Sequence, residues 1–221
     1  DSLYLAADPT PNEKPYAEQL RPQFHFSSLR GWNNDPNGLF YLDGEYHLLY
    51  QHNPYSVEWG NLHWGHAVSR DLVHWKELPV ALYPDELGAM STGSSVVDYH
   101  NTSGLGSQTK PPVVAIYTAG HAVWTPGFVQ CLAFSTDRGR TWNKYLNNPV
   151  IENIINRNRD PKVIWHPQTE HWVMVLYLDG NDYTILRSSN LLDWTRVSDL
   201  RIPRATECPE LFPLNVFDPE T

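Results

Sequence analysis

The sequence predicts an all-β chain built of four-stranded propeller blades, and three observations carry that prediction. Val, Leu, Tyr and Trp cluster in short runs from Phe24 onward, separated at hairpin spacing by Asp-Gly, Asn-Pro and Pro-Gly turns. No stretch sustains a helical period for more than two turns. A polar turn closed by tryptophan recurs as Ser69-Arg70-Asp71-Leu72-Val73-His74-Trp75, as Ser188-Ser189-Asn190-Leu191-Leu192-Asp193-Trp194 and, more loosely, over Ser135 to Trp142. Each copy follows an apolar run, and the intervals between the three tryptophans suit one blade apiece. Their Ser and Asp side chains are expected to satisfy turn amides and their Trp rings to fill the gap between neighbouring blades. The Asp residues of these turns are therefore structural.

Residues 1–21 carry Pro9, Pro11 and Pro15 among charges and read as an extended arm, whereas residues 22–221 read as the N-terminal part of the propeller. In Trp32-Asn33-Asn34-Asp35-Pro36-Asn37-Gly38, Pro36 drives Asp35 out of the helical region and Asn37-Gly38 tolerates positive φ. A sharp turn is expected there, with Asp35 as a carboxylate on a stiff corner. Leu39–Leu42 and Glu45–Tyr50 then read as a hairpin closed by Asp43-Gly44. Arg159-Asp160-Pro161-Lys162-Val163 repeats the Asp-Pro device, and Glu207-Cys208-Pro209-Glu210-Leu211 places a carboxylate at the mouth of another apolar run. Three carboxylates are thus expected at strand entrances, which in a propeller lie near the axis and converge. An acid and a second carboxylate that attacks or stabilises the sugar carbon are what glycosidic hydrolysis requires.

Four ordered blocks, W-N-N-D-P-N-G at 32–38, W-G-H-A-V-S-R-D-L-V-H-W at 64–75, R-D-P-K-V at 159–163 and E-C-P-E-L at 207–211, resemble glycoside hydrolase family 32, the invertases, levanases and inulinases. The resemblance runs from about residue 22 to residue 214 and implies a five-bladed β-propeller followed by a β-sandwich. At about 60 residues per blade, the 221 residues reach three to four blades without the sandwich, so a fragment of a longer protein is expected. The alternative is a partner chain or a homo-oligomer that completes the ring.

Position by position, the resemblance makes Asp35 the nucleophile that attacks C2 of a β-linked fructosyl unit and Glu207 the acid/base. It makes Asp160 the residue that stabilises the transition state through fructose hydroxyls. Arg159 is expected to lower the pKa of a neighbouring carboxylate and to orient it, while Glu207 must stay protonated through burial or nearby negative charge, the latter supplied by the two other carboxylates of the pocket. A retaining mechanism implies about 5 to 5.5 Å between Asp35 and Glu207. Asn34, Gln51 and Trp59 match family positions that bind the terminal fructose, and Trp32 shares their motif. The chain departs from the family at Ser91-Thr92-Gly93-Ser94, where relatives carry an aromatic residue and Ser: Thr92 keeps a hydroxyl, but Ser91 lacks the ring. The pocket wall, and with it the sugar accepted beyond the first fructose, is expected to differ there. Cys208 is expected to be a buried neighbour of the acid/base, not a nucleophile.

The stretches Tyr83–Gly88, Val96–Asp98 and Asn101–Gly104 resemble levanases and exo-inulinases more than plant vacuolar invertases. The expected activity is release of terminal β-D-fructofuranosyl units from levan, inulin or sucrose. A fructosyltransferase would use the same carboxylates, and a non-catalytic fructan-binding propeller would be favoured had one of them been replaced. The turn at Ser135 also resembles the Asp-box of sialidases, whose chemistry needs an arginine cluster and a Tyr nucleophile. Family 43 arabinanases share the five-bladed shape but invert configuration, with carboxylates more than about 6.5 Å apart.

Composition narrows the partners. Net charge is −9, with nine Trp and twelve Tyr, which disfavours nucleic acid and suits a neutral ligand with C–H-rich faces. No apolar run approaches bilayer length, so no membrane partner is expected. Cys131 and Cys208 are the only cysteines and imply no disulfide framework. Asp1-Ser2-Leu3-Tyr4 is no leader, so a secreted or periplasmic protein would have lost one; a cytoplasmic location is the alternative. Asn101-Thr102-Ser103 is an N-glycosylation sequon. His63 and His66 fall on opposite faces of a strand, so no metal and no other cofactor is expected.

Overall fold

The computed structural model describes residues 16–120, 127–155 and 158–214; of the expected N-terminal arm only 16–21 fall among them, as turns and irregular chain. The described residues are all-β and contain no helix. Twelve strands form three antiparallel four-stranded sheets, each in chain order. The first blade comprises β1 (Trp32–Leu42), β2 (Glu45–Asn53), β3 (His63–Ser69) and β4 (Trp75–Leu82). The second comprises β5 (Ala89–Val97), β6 (Val113–Gly120), β7 (Val129–Ser135) and β8 (Asn143–Lys144). The third comprises β9 (Arg159–His166), β10 (His171–Asp179), β11 (Asp182–Ser188) and β12 (Thr195–Arg201). The first strand of each blade is the inner one: β5 packs against both β1 and β9.

Period-two alternation builds the core. Along β6, Val113, Ala115, Tyr117 and Ala119 face Phe40, Leu49 and Trp64 of the first blade, whereas Val114 and Ile116 face Val163, Met174 and Leu176 of the third. The middle strand β6 is thus buried on both faces along its whole length, whereas the outer strand β12 is exposed at every residue.

The tryptophan turns behave as their chemistry requires. Ser69, Ser135 and Ser188 each accept two backbone N–H groups of their own turn through Oγ. The indole N–H of each Trp donates to the carbonyl three residues before it, at 2.9–3.1 Å. Trp142 and Trp194 pack into the clusters between blades, as expected. Trp75 does not: it packs within its own blade and on Phe26, 6.0 Å between centroids.

The hairpin at Asp43-Gly44 forms with φ of 50° and 86°, the left-handed pair that a two-residue turn needs. The sharp turn expected at residues 32–38 does not form. The segment lies inside β1, which continues through two register shifts, because Leu49 and Tyr50 of β2 offer pairing partners that local sequence does not reveal. Gly93 on β5 has backbone against it: a Cβ there would lie 2.2 Å from the Ile116 carbonyl oxygen and 2.6 Å from Tyr117 Cα. Gly93→Ala is expected to cost about 3 kcal/mol, read as a lowered denaturation midpoint at unchanged slope.

Between the first two blades His47 Nδ1 meets His66 Nε2 at 3.0 Å, with Phe40 stacked on His47 at 4.2 Å. Burial lowers both pKa values, His47 to about 4 and His66 further. The unfolded chain therefore binds more protons than the folded one from pH 6.5 down to about 4, and stability falls with pH across that window. The loss is expected to be on the order of 3 kcal/mol for each histidine. Thermal midpoints between pH 7 and 4 should show a steeper decline in the wild type than in a His47→Gln, His66→Gln double variant.

Candidate active site

Each inner strand carries a β-bulge, and each bulge lies at a residue that the sequence singled out. On β1, Asn33 pairs with His52 and Pro36 with Tyr50, so Asn34 and Asp35 both stand opposite Gln51. On β5, Met90 pairs with Ala119 and Gly93 with Tyr117, which leaves Ser91 and Thr92 opposite Thr118. On β9, Arg159 pairs with Tyr177 and Lys162 with Val175, which leaves Asp160 and Pro161 opposite Leu176. An extra residue breaks the alternation of side chains and re-aims one of them. Three adjacent strands bulged at the same level turn three such side chains toward one place.

The polar contacts follow from that geometry. Asp35 Oδ2 accepts from Thr92 Oγ1 at 2.5 Å and from Gln51 Nε2 at 3.4 Å, and Gln51 also donates to Thr92 Oγ1 at 2.7 Å. Asp160 takes φ of +63° and is 5% exposed, and its Oδ2 accepts the Cys208 N–H at 2.9 Å. Burial raises its pKa, against the opposing pull of the Cys208 N–H and the Arg159 guanidinium. Arg159 Nε lies 3.7 Å from Asp160 Oδ2, its Nη2 pairs with Glu207 Oε1, and its guanidinium sits 4.7 Å over the Tyr177 ring. Tyr177 is thus a platform that holds Arg159 between two carboxylates.

Two expectations are corrected here. Glu207 does not open a strand: it sits in an irregular segment, with positive φ at both Glu207 (55°) and Cys208 (37°). Its side chain is 53% exposed, and of the three carboxylates it is Asp160 that is buried. Cys208 is likewise exposed instead of buried. Its thiol is nonetheless pushed up to about 12 by desolvation and by Asp160 and Asp35, so it is no ready nucleophile.

A cleft of about 350 Å³ brings together Asn34, Asp35, Gln51, Trp59, Ser91, Thr92, Arg159, Asp160 and Glu207, with Leu62, Phe128 and Cys208 completing the wall. That volume falls in the range of small-ligand sites. Trp32 is not in the lining; its N–H donates to the Ser56 carbonyl and its own carbonyl meets His52 Nδ1, which ties the loop bearing Trp59 to β1. Leu62 and Phe128 were not legible beforehand, because each is an isolated apolar residue just before a strand and carries no chemical signature. Trp59 is 62% exposed at the rim, an apolar face on which a sugar can stack. His63 and His66 diverge as expected, His63 toward Tyr55 and Tyr83 and His66 toward His47.

Comparison with known proteins agrees with the geometry. Residues 25–221 match the model of the glycosyl hydrolases family 32 N-terminal domain. A levanase of Bacillus subtilis is 50% identical over 210 residues, covering 91% of this chain and 30% of its own length. An extracellular exo-inulinase of Aspergillus niger is 42% identical over 227 residues, covering 90% and 42%. The structure of a fructofuranosidase from Schwanniomyces occidentalis complexed with fructosylnystose superposes with a TM-score of 0.78 at 41% identity, covering 86% of this chain and 38% of that one. The chain spans less than half the length of each.

Proposed function

The chain belongs to glycoside hydrolase family 32, and from that premise we propose that it supplies the active site of a retaining β-fructofuranosidase acting on levan, inulin or sucrose. The observation that carries this reading is the convergence of Asp35, Asp160 and Glu207 on one cleft from β1, β9 and the segment after β12. In the first step an Asp35 oxygen attacks C2 of the terminal fructosyl unit; the C2–O bond breaks, and the leaving oxygen takes the proton of Glu207. In the second, Glu207 removes a proton from water, whose oxygen attacks C2 and expels the Asp35 carboxylate.

Thr92 and Gln51 hold the attacking carboxylate in one orientation, so its rotation need not be frozen at the moment of reaction. Asp160 is buried and fixed by the Cys208 N–H, which suits a group that hydrogen-bonds fructose hydroxyls more strongly as charge develops on the ring. Asn34, Gln51 and Trp59 would bind the terminal fructose, and Ser91, lacking a ring, leaves room in the wall beyond it. An extracellular location is part of the proposal, in keeping with the extracellular exo-inulinase.

The test is fructose release from sucrose, inulin and levan by the full-length protein. Release from at least one is expected, and the ratio of rates names the preferred polymer. A folded protein that releases fructose from none of them would overturn the reading, and fructose transferred to a second sugar in place of water would make the protein a transferase.

A further inference from the structure

The residue opposite the β5 bulge is Thr118, and its hydroxyl does not face the cleft. It accepts the backbone N–H of Asp160 at 3.0 Å and donates to Gln130 Oε1 at 2.8 Å. Gln130, directly across from Thr118 on β7, donates through Nε2 to the Asn158 carbonyl at 3.1 Å. The Asn158 side chain accepts the N–H groups of Ile154 and Ile155 through Oδ1, at 2.8 and 3.1 Å, and donates through Nδ2 to the Phe128 carbonyl at 3.3 Å. Thr118, Gln130 and Asn158 are all fully buried.

None of the three lines the cleft, yet the chain of bonds ends on two residues that do, Asp160 and Phe128. Polar groups buried this completely are costly unless every bond is made, and apolar residues would fill the same inter-strand space at less risk. The Asp160 amide also needs a partner from outside its own sheet: the bulge removes it from the β9–β10 ladder, and φ of +63° turns it away. A backbone held in this region persists only where its surroundings over-determine it.

We propose that Thr118, Gln130 and Asn158 form a positioning network that holds Asp160 in its left-handed conformation and couples it to the Phe128 wall of the cleft. Thr118 is its centre, because one hydroxyl satisfies both the Asp160 amide and the Gln130 amide oxygen. The inference rests on the fructosidase reading, in which Asp160 acts mainly in the transition state.

The experiment compares full-length wild type, Thr118→Val and Thr118→Ser on the substrate the wild type prefers. Thr118→Val keeps the shape and removes the hydroxyl, so the Asp160 amide loses its acceptor. Its kcat is expected to fall roughly 10- to 100-fold, the effect of a carboxylate displaced by a fraction of an ångström, with KM changed less than about threefold. Thr118→Ser restores the hydroxyl and should recover kcat to within about threefold of wild type. Hydrogen exchange at the Asp160 amide should speed up in the valine variant alone. Should that variant fail to fold, Gln130→Met, which leaves the Asp160 bond but frees the hydroxyl to rotate, should show the same kcat-selective loss at smaller size. Unchanged kcat in a folded valine variant, or a serine variant as impaired as the valine one, would overturn the network's role. An inactive wild type would instead count against the fructosidase reading.

Discussion

Asp35→Ala is expected to reduce fructose release by about 10⁴-fold or more while leaving the fold in place. The size follows from the role: without the attacking oxygen there is no covalent path, and the remaining groups only bind and polarise. The fold survives because Gln51 Nε2 keeps its bond to Thr92 Oγ1 at 2.7 Å, and the Thr92 hydroxyl, which loses Asp35 as its acceptor, lines the open cleft, where water can accept its proton. Thermal unfolding should shift by no more than about 1 kcal/mol in equivalent stability. Steady-state rates and a thermal scan on the same sample check both halves. A variant that retains turnover would remove Asp35 from the chemistry, and one that unfolds would make it a structural residue.

Glu207→Ala is expected to slow hydrolysis of sucrose, inulin and levan by about 10² to 10⁴-fold. A β-fructofuranoside with a good leaving group needs little protonation, so its first step should be far less affected. Its second step should still be slow, because no base activates water, and the covalent intermediate should accumulate. Removing Glu207 takes one partner from Arg159, which keeps Tyr177 beneath it and Asp160 beside it, so the guanidinium stays where it is. Equal losses on both substrate types would count against Glu207 as the acid/base.

What the sequence displayed and what it hid divide along a physical line. Local chemistry was legible: Asp43-Gly44 takes the φ values that only such residues accept easily, and the Ser-Asp-Trp turns close on bonds spanning a few residues. Asp35, Asp160 and Glu207 could be picked out because the carboxylate and its neighbours are contiguous in the chain. The bulges were illegible, since a register shift is a property of two strands and the partner lies elsewhere in sequence. For the same reason residues 32–38 read as a turn although β2 draws them into a strand. The exposure of Glu207 and Cys208 depends on the path of the chain after β12, which no local propensity determines. Phe128 and the Thr118–Gln130–Asn158 chain became visible only once β6, β7 and β9 were side by side, because their partners are distant in the chain and their residue types are ordinary in strands and turns.

The covalent fructosyl-enzyme on Asp35 is the central claim, and it can be trapped. The full-length Glu207→Ala variant would be mixed with a β-fructofuranoside bearing a good leaving group, quenched in acid, digested and analysed by mass spectrometry. The peptide carrying Asp35 should gain the mass of one fructosyl residue, and the same reaction of the Asp35→Ala variant should show no labelled peptide. A fructosyl group on another residue, or turnover without any labelled peptide and with the fructose anomer inverted, would contradict the mechanism.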